Sequence, residues 1–97
     1  NLKDGLSQIS VLKIFQDTKG FIWFGTRNGL NRYDGSEFVI YKHDPKDSLT
    51  LSDNHIWSLA EDNDRNLWIG TARGLNKLDL KTNRIKPFVD ERYGAFG

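Results

Sequence analysis

The chain has 97 residues, 37% of them hydrophobic and 12% aromatic, with 14 Lys+Arg against 13 Asp+Glu and no cysteine. That is the size of one small domain, too apolar for a disordered tail, and its near-neutral charge gives no electrostatic case for nucleic acid or a membrane surface. Without Cys there are no disulfides, thiolate nucleophiles or Cys-ligated metals, no run of about 18 apolar residues exists to span a bilayer, and the sequence starts at Asn1 rather than Met with no signal peptide visible, so an excised or processed piece is expected.

Residues 1–8 read as a lead-in. "SVLKIF" is a short apolar run rich in branched residues, which predicts a buried strand over 10–17. "FIWFGT" is β-branched and aromatic, closes at Gly25, and predicts a strand over 21–26. Asn28-Gly29 then signals a two-residue type I′ hairpin, whose central positions both need positive φ, leading into a strand over 30–34. Asp34-Gly35 is a second turn signal, and the alternating "EFVIYK" predicts a fourth strand over 37–42. A polar linker over 46–53 follows, and four more strands are expected over 55–61, 66–71, 75–79 and 84–89. No segment carries a helical stripe with caps.

The second set of strands repeats the first. A shift of 45 positions lays "DTKGFIWFGTRNGLNRYD" on "DNDRNLWIGTARGLNKLD", with eight identities in the 21 gapless positions from Ile14 to Asp34. The identical pairs are Asp17/Asp62, Trp23/Trp68, Gly25/Gly70, Thr26/Thr71, Gly29/Gly74, Leu30/Leu75, Asn31/Asn76 and Asp34/Asp79. A period near 45 suits a four-stranded propeller blade. The fold expected is all-β, with two antiparallel blades of an incomplete β-propeller at 9–45 and 54–90, and 91–97 starting the next connection. Trp23, Gly25, Gly29, Leu30, Trp68, Gly70, Gly74 and Leu75 are the expected repeat core, the two Trp packing between blades. Two blades cannot close a ring of about 4–8. Bare faces should therefore meet further blades of the same protein, or another copy of the fragment by self-association.

The pattern "D-x-x-G-x-[IL]-W-[FI]-G-T-x-x-G-L-N-[RK]-x-D" resembles the two-component regulator propeller repeat. The resemblance runs from about Ile9 to Phe88. It includes a linker similar to "SLS-x-N-x-[IV]-W-x-[IL]-x-E-D", matched by Ser48-Leu49 and by Ser52 through Asp62. It implies seven-bladed periplasmic propellers that sense glycan-derived oligosaccharides and signal to a histidine kinase, a receiver and a DNA-binding output domain. Two departures stand out: Arg65-Asn66 replaces Gly20-Phe21, which predicts a different first turn, and the hairpin "DLKTNR" is longer than "DGSE".

No catalytic or metal site emerges, and no cofactor is expected. "GTRNGLNRYDG" lacks the P-loop Lys and enters no helix. Asp62-Asn63-Asp64-Arg65-Asn66 opens like a calcium loop, but Leu67 and Arg73 stand where Gly and Glu are required. Asp17 and Asp62 suit turn capping better than base catalysis, His43 and His55 have no triad partners, and Trp57, aligned with Leu12, reads as core. In an up-and-down blade the turns after the second strand share a rim with the linker from Lys42 to Asn54. Arg27, Asn28, His43 and Arg73 on that rim are the candidate ligand contacts, the two Arg suited to an acidic sugar. The alternative is a structural, dimerising or protein-interaction propeller that binds no ligand directly.

Overall fold

A computed structural model describes residues 11–90 and 94–95, so the expected 1–8 lead-in and most of the 91–97 segment lie outside the described residues. Strands β1 (Val11–Gln16), β2 (Ile22–Thr26), β3 (Gly29–Tyr33) and β4 (Phe38–Tyr41) form one antiparallel sheet in chain order. Strands β5 (Ile56–Glu61), β6 (Asn66–Thr71), β7 (Gly74–Asp79) and β8 (Arg84–Pro87) form the second in the same order. These are two propeller blades, and each of the eight strands lies within two residues of its predicted span. The last strand ends at Pro87, two residues short of its predicted span. Val89–Asp90 (β9) instead pairs with Gly94–Ala95 (β10), a small hairpin that the periodicity did not foretell.

The blades meet along their first strands, β5 packing on β1 and β2, while β4 and β8 are the outer edges. One apolar cluster joins them: Trp23 and Leu30 from the first blade, Leu51 from the linker, and Ile56, Leu67, Ile69, Leu78 and Ile85 from the second. Gly25 makes the close approach possible. A Cβ there would sit 2.7 Å from Ile56 Cγ2, so only glycine lets the second blade's fully buried isoleucine lie on β2.

The repeated tryptophans show what a neighbour does. Trp23 has blade two beside it and is 0% exposed, whereas its equivalent Trp68, with no third blade alongside, is only half-buried. Each lies against an aromatic of its own outer edge: Trp23 against Tyr41 at 5.7 Å and Trp68 against Phe88 at 5.3 Å. On the far face of blade one, Ile14 is 67% exposed.

Two turn expectations are corrected. Neither hairpin after the second strand is type I′, because only Gly29 (φ 121°) and Gly74 (φ 119°) have positive φ there. Thr26 instead staples its turn: its hydroxyl donates to Gly29 O (2.8 Å) and accepts the Asn28 N–H (3.0 Å). Thr71 does the same with Gly74 and Arg73. Nor do the first turns diverge. Arg65 takes a positive φ of 64° where Gly20 has 93°, so the backbone shape survives the loss of glycine. That conformation is unfavourable for a non-glycine residue, and Arg65 is held in it by bonds to the neighbouring blade.

Candidate functional site

Each blade presents two rims. At the first, Asp17 Oδ1 accepts the N–H groups of Lys19 and Phe21, and its Oδ2 accepts the Trp23 indole N–H at 2.9 Å. Asp62 repeats the arrangement with Asp64, Asn66 and the Trp68 indole, again at 2.9 Å. One carboxylate thus caps the β1–β2 turn and locks the tryptophan of the following strand. The donated bonds, first from the Asn66 backbone and then from the Trp68 indole, hold Asp62 down to a pKa of about 2. The capping role was legible from the repeat; the indole bond was not, although Asp and Trp recur six apart in both copies.

The same rim ties the blades together. Glu61 accepts the Thr18 N–H and hydroxyl, both at 2.9 Å, and Arg65 Nη1 donates to Glu61 at 2.8 Å and to the Thr18 hydroxyl at 2.7 Å. Burial raises the Glu61 pKa, but the bonds from Thr18 and Arg65 outweigh it and leave a net lowering.

The opposite rim carries the linker and the β2–β3 and β6–β7 turns. The Gly29 N–H donates to Asn54 O at 2.7 Å, and the Ala72 N–H donates to His55 O at 3.1 Å, so the end of the linker is seated against both turns. Asn76, fully buried, accepts the Ser52 N–H and donates to its hydroxyl, pinning the linker beside the buried Leu51. Chain direction in an up-and-down blade places the linker and both turns on this one rim.

Of the four candidate contacts, the structure brings His43 and Arg73 together on one open groove of about 580 Å³ along the linker, with Asp44, Lys46 and Ser52 among its other walls. Arg27 and Asn28 are exposed on the adjoining turn of blade one and do not line that groove. His43 Nδ1 lies 2.6 Å from Leu51 O, and because a carbonyl only accepts, Nδ1 carries the proton in this bond. Arg73 Nε lies 3.3 Å from Asp53 Oδ2, an exposed pair worth little in stability but enough to offset its charge.

Trp57 is a correction. It sits where the β5–β6 register slips between Ile56 and Ser58, and it is 55% exposed rather than core. Leu12, its aligned residue, lies at the matching bulge of β1 and is only partly buried, and a one-residue bulge breaks the alternation from which burial is inferred. Among the described residues no cluster of three or more His, Asp or Glu is placed to hold a metal ion, and no helix is long and apolar enough to cross a membrane.

A model of the two-component regulator propeller family matches residues 5–28 and 50–73, two segments offset by the same 45 positions as the internal repeat. These are two-component regulator propeller repeats. Among solved structures, these repeats resemble the extracellular domain of a protein assigned to the hybrid two-component systems of B. thetaiotaomicron. The TM-score is 0.79 and the identity 32%, over 95% of this chain and 13% of that one. They also resemble an extracellular domain of a one-component system from the same organism, with a TM-score of 0.73 and 31% identity over the same shares. A histidine kinase P4 from Formosa agariphila is 55% identical over 49 residues, which is 50% of this chain and 4% of that protein. The propeller repeats described here therefore span a small fraction of the length of these relatives.

Proposed function

We propose that these two blades belong to the periplasmic ligand-sensing propeller of a hybrid two-component histidine kinase that responds to glycan-derived oligosaccharides. The blades are taken as residues 9–45 and 54–90, joined by the 46–53 linker. Support for the receptor class comes from the repeats themselves and from likeness to the extracellular domain of one hybrid two-component protein and to a histidine kinase. The stretch does no chemistry of its own in this reading; the phosphoryl transfer belongs to a kinase elsewhere in the protein. Its partners are further blades of the same chain.

The observation that carries the reading is the rim that gathers the linker, both β2–β3-type turns and the groove shared by His43 and Arg73 onto one rigid edge. Loops fixed on a stiff scaffold are where propellers place recognition. Arg27 and Asn28 extend that edge across blade one, and the Arg27 guanidinium suits a carboxylate or sulfate on the sugar. The test is the double variant Arg27→Ala, Arg73→Ala in the full-length protein, read as oligosaccharide-stimulated autophosphorylation. Loss of stimulation with basal phosphorylation intact is expected. Unchanged stimulation would move the sugar off this rim and favour a scaffold role.

A further inference from the structure

Resting on the sensing role proposed above, we infer that Trp57 is a stacking platform for a neutral sugar ring, with Asp53, linked to it through His55, and Arg73, paired with Asp53, to meet the sugar hydroxyls. The β5 bulge takes Trp57 out of the regular in–out alternation of the strand, as the matching β1 bulge does Leu12, so the repeat itself holds the side chain at this position clear of the ladder's alternation. The indole is 55% exposed, yet the His55 ring meets it edge-on at 5.8 Å and an interplanar angle of 89°, which limits its orientations. An ordered, exposed aromatic face suits the C–H-rich face of a pyranose, because the partial positive charge of those hydrogens meets the negative face of the ring.

The neighbouring polar groups are tied to the same segment. The His55 N–H donates to Asp53 Oδ1 at 2.8 Å, while Arg73 Nε faces Asp53 Oδ2 at 3.3 Å. A carboxylate that accepts and a guanidinium that donates, neutralising one another, fit hydroxyls better than an anion. The pairing therefore shifts the ligand class at this spot from an acidic sugar, expected from the Arg residues alone, to a neutral one. A neighbouring blade does not seal the position: Leu12, the equivalent residue of blade one, stays partly open with blade two beside it.

The test uses the full-length protein as wild type, Trp57→Ala and Trp57→Phe, titrated calorimetrically with oligosaccharide digests of xylan and laminarin (neutral) and of alginate and polygalacturonate (acidic). The wild-type minus Trp57→Phe fluorescence difference, with acrylamide as quencher, isolates the Trp57 signal. The inference expects that signal to be quenchable without sugar and protected with a neutral digest. It also expects Trp57→Ala to weaken neutral-digest binding about ten-fold, and Trp57→Phe less. Neutral-digest binding that survives Trp57→Ala, binding of acidic digests alone, or a Trp57 already shielded from quencher overturns the inference and leaves the sensing role standing. No binding of any digest by the wild type overturns both.

Discussion

Replacing Gly25 by alanine tests whether the two blades are held at the contact distance described. The new Cβ would lie 2.7 Å from Ile56 Cγ2, 3.1 Å from Ile56 Cβ and 3.5 Å from Lys13 Cβ. Ile56 is fully buried and β-branched, so χ1 rotation offers no exit and the blades must part by several tenths of an ångström. Overpacking of this kind costs about 1–3 kcal/mol. Gly70→Ala is the internal control, since the nearest atom to its added methyl is the hydroxyl of Ser58, which can rotate away. Urea unfolding of the purified protein, followed by tryptophan fluorescence, gives both values. Ile56→Ala alone should cost about 2–5 kcal/mol through the cavity it opens, and the Gly25→Ala, Ile56→Ala pair should fall short of the sum by about 1 kcal/mol or more. A Gly25→Ala protein within about 0.5 kcal/mol of wild type, or strict additivity in the cycle, would refute the close approach.

Trp23→Phe leaves the buried Asp17 without its indole donor and should lose about 1–3 kcal/mol. Trp68→Phe should lose less, since Asn66 Nδ2 also donates to Asp62 Oδ2, and paired chemical denaturation of the two variants compares them. Glu61→Gln removes the charge that gathers Thr18 and Arg65, and a loss of about 1–2 kcal/mol with an unchanged fold by circular dichroism is expected. Acid should destabilise through these same groups. Asp62 has a folded pKa of about 2 against an ordinary 3.8, and Glu61 lies below its ordinary 4.5. Their contributions are therefore complete above about pH 4.5 and fade as pH falls toward 2. Urea midpoints measured down the pH scale should show a shallower decline in Asp62→Asn than in wild type.

The sequence carried the blade pair almost whole because a propeller blade is a local object. Each strand pairs with its chain neighbour, and the turn residues Gly29 and Gly74 sit at fixed offsets. Contacts between blades were harder to see. The Gly25–Ile56 approach and the Thr18–Glu61–Arg65 clamp join residues more than thirty positions apart, and no periodicity encodes such a pairing. Arg65 misled because the absence of glycine argued for a new turn shape, whereas bonds across to blade one hold the old one. Trp57 misled through its bulge. On the rim, chain direction sufficed to place Arg27, Asn28, His43 and Arg73 on the linker side. It could not show that Asp53 offsets Arg73 or that His43 is tied to Leu51 O, because side-chain partners are set by three-dimensional proximity.

Amide hydrogen exchange of the full-length protein, with and without an activating oligosaccharide, tests the central claim most directly. The account predicts sugar-dependent protection over 42–57 and the turns 26–29 and 71–74. Protection confined to the opposite rim, at 17–21 and 62–66, would contradict it.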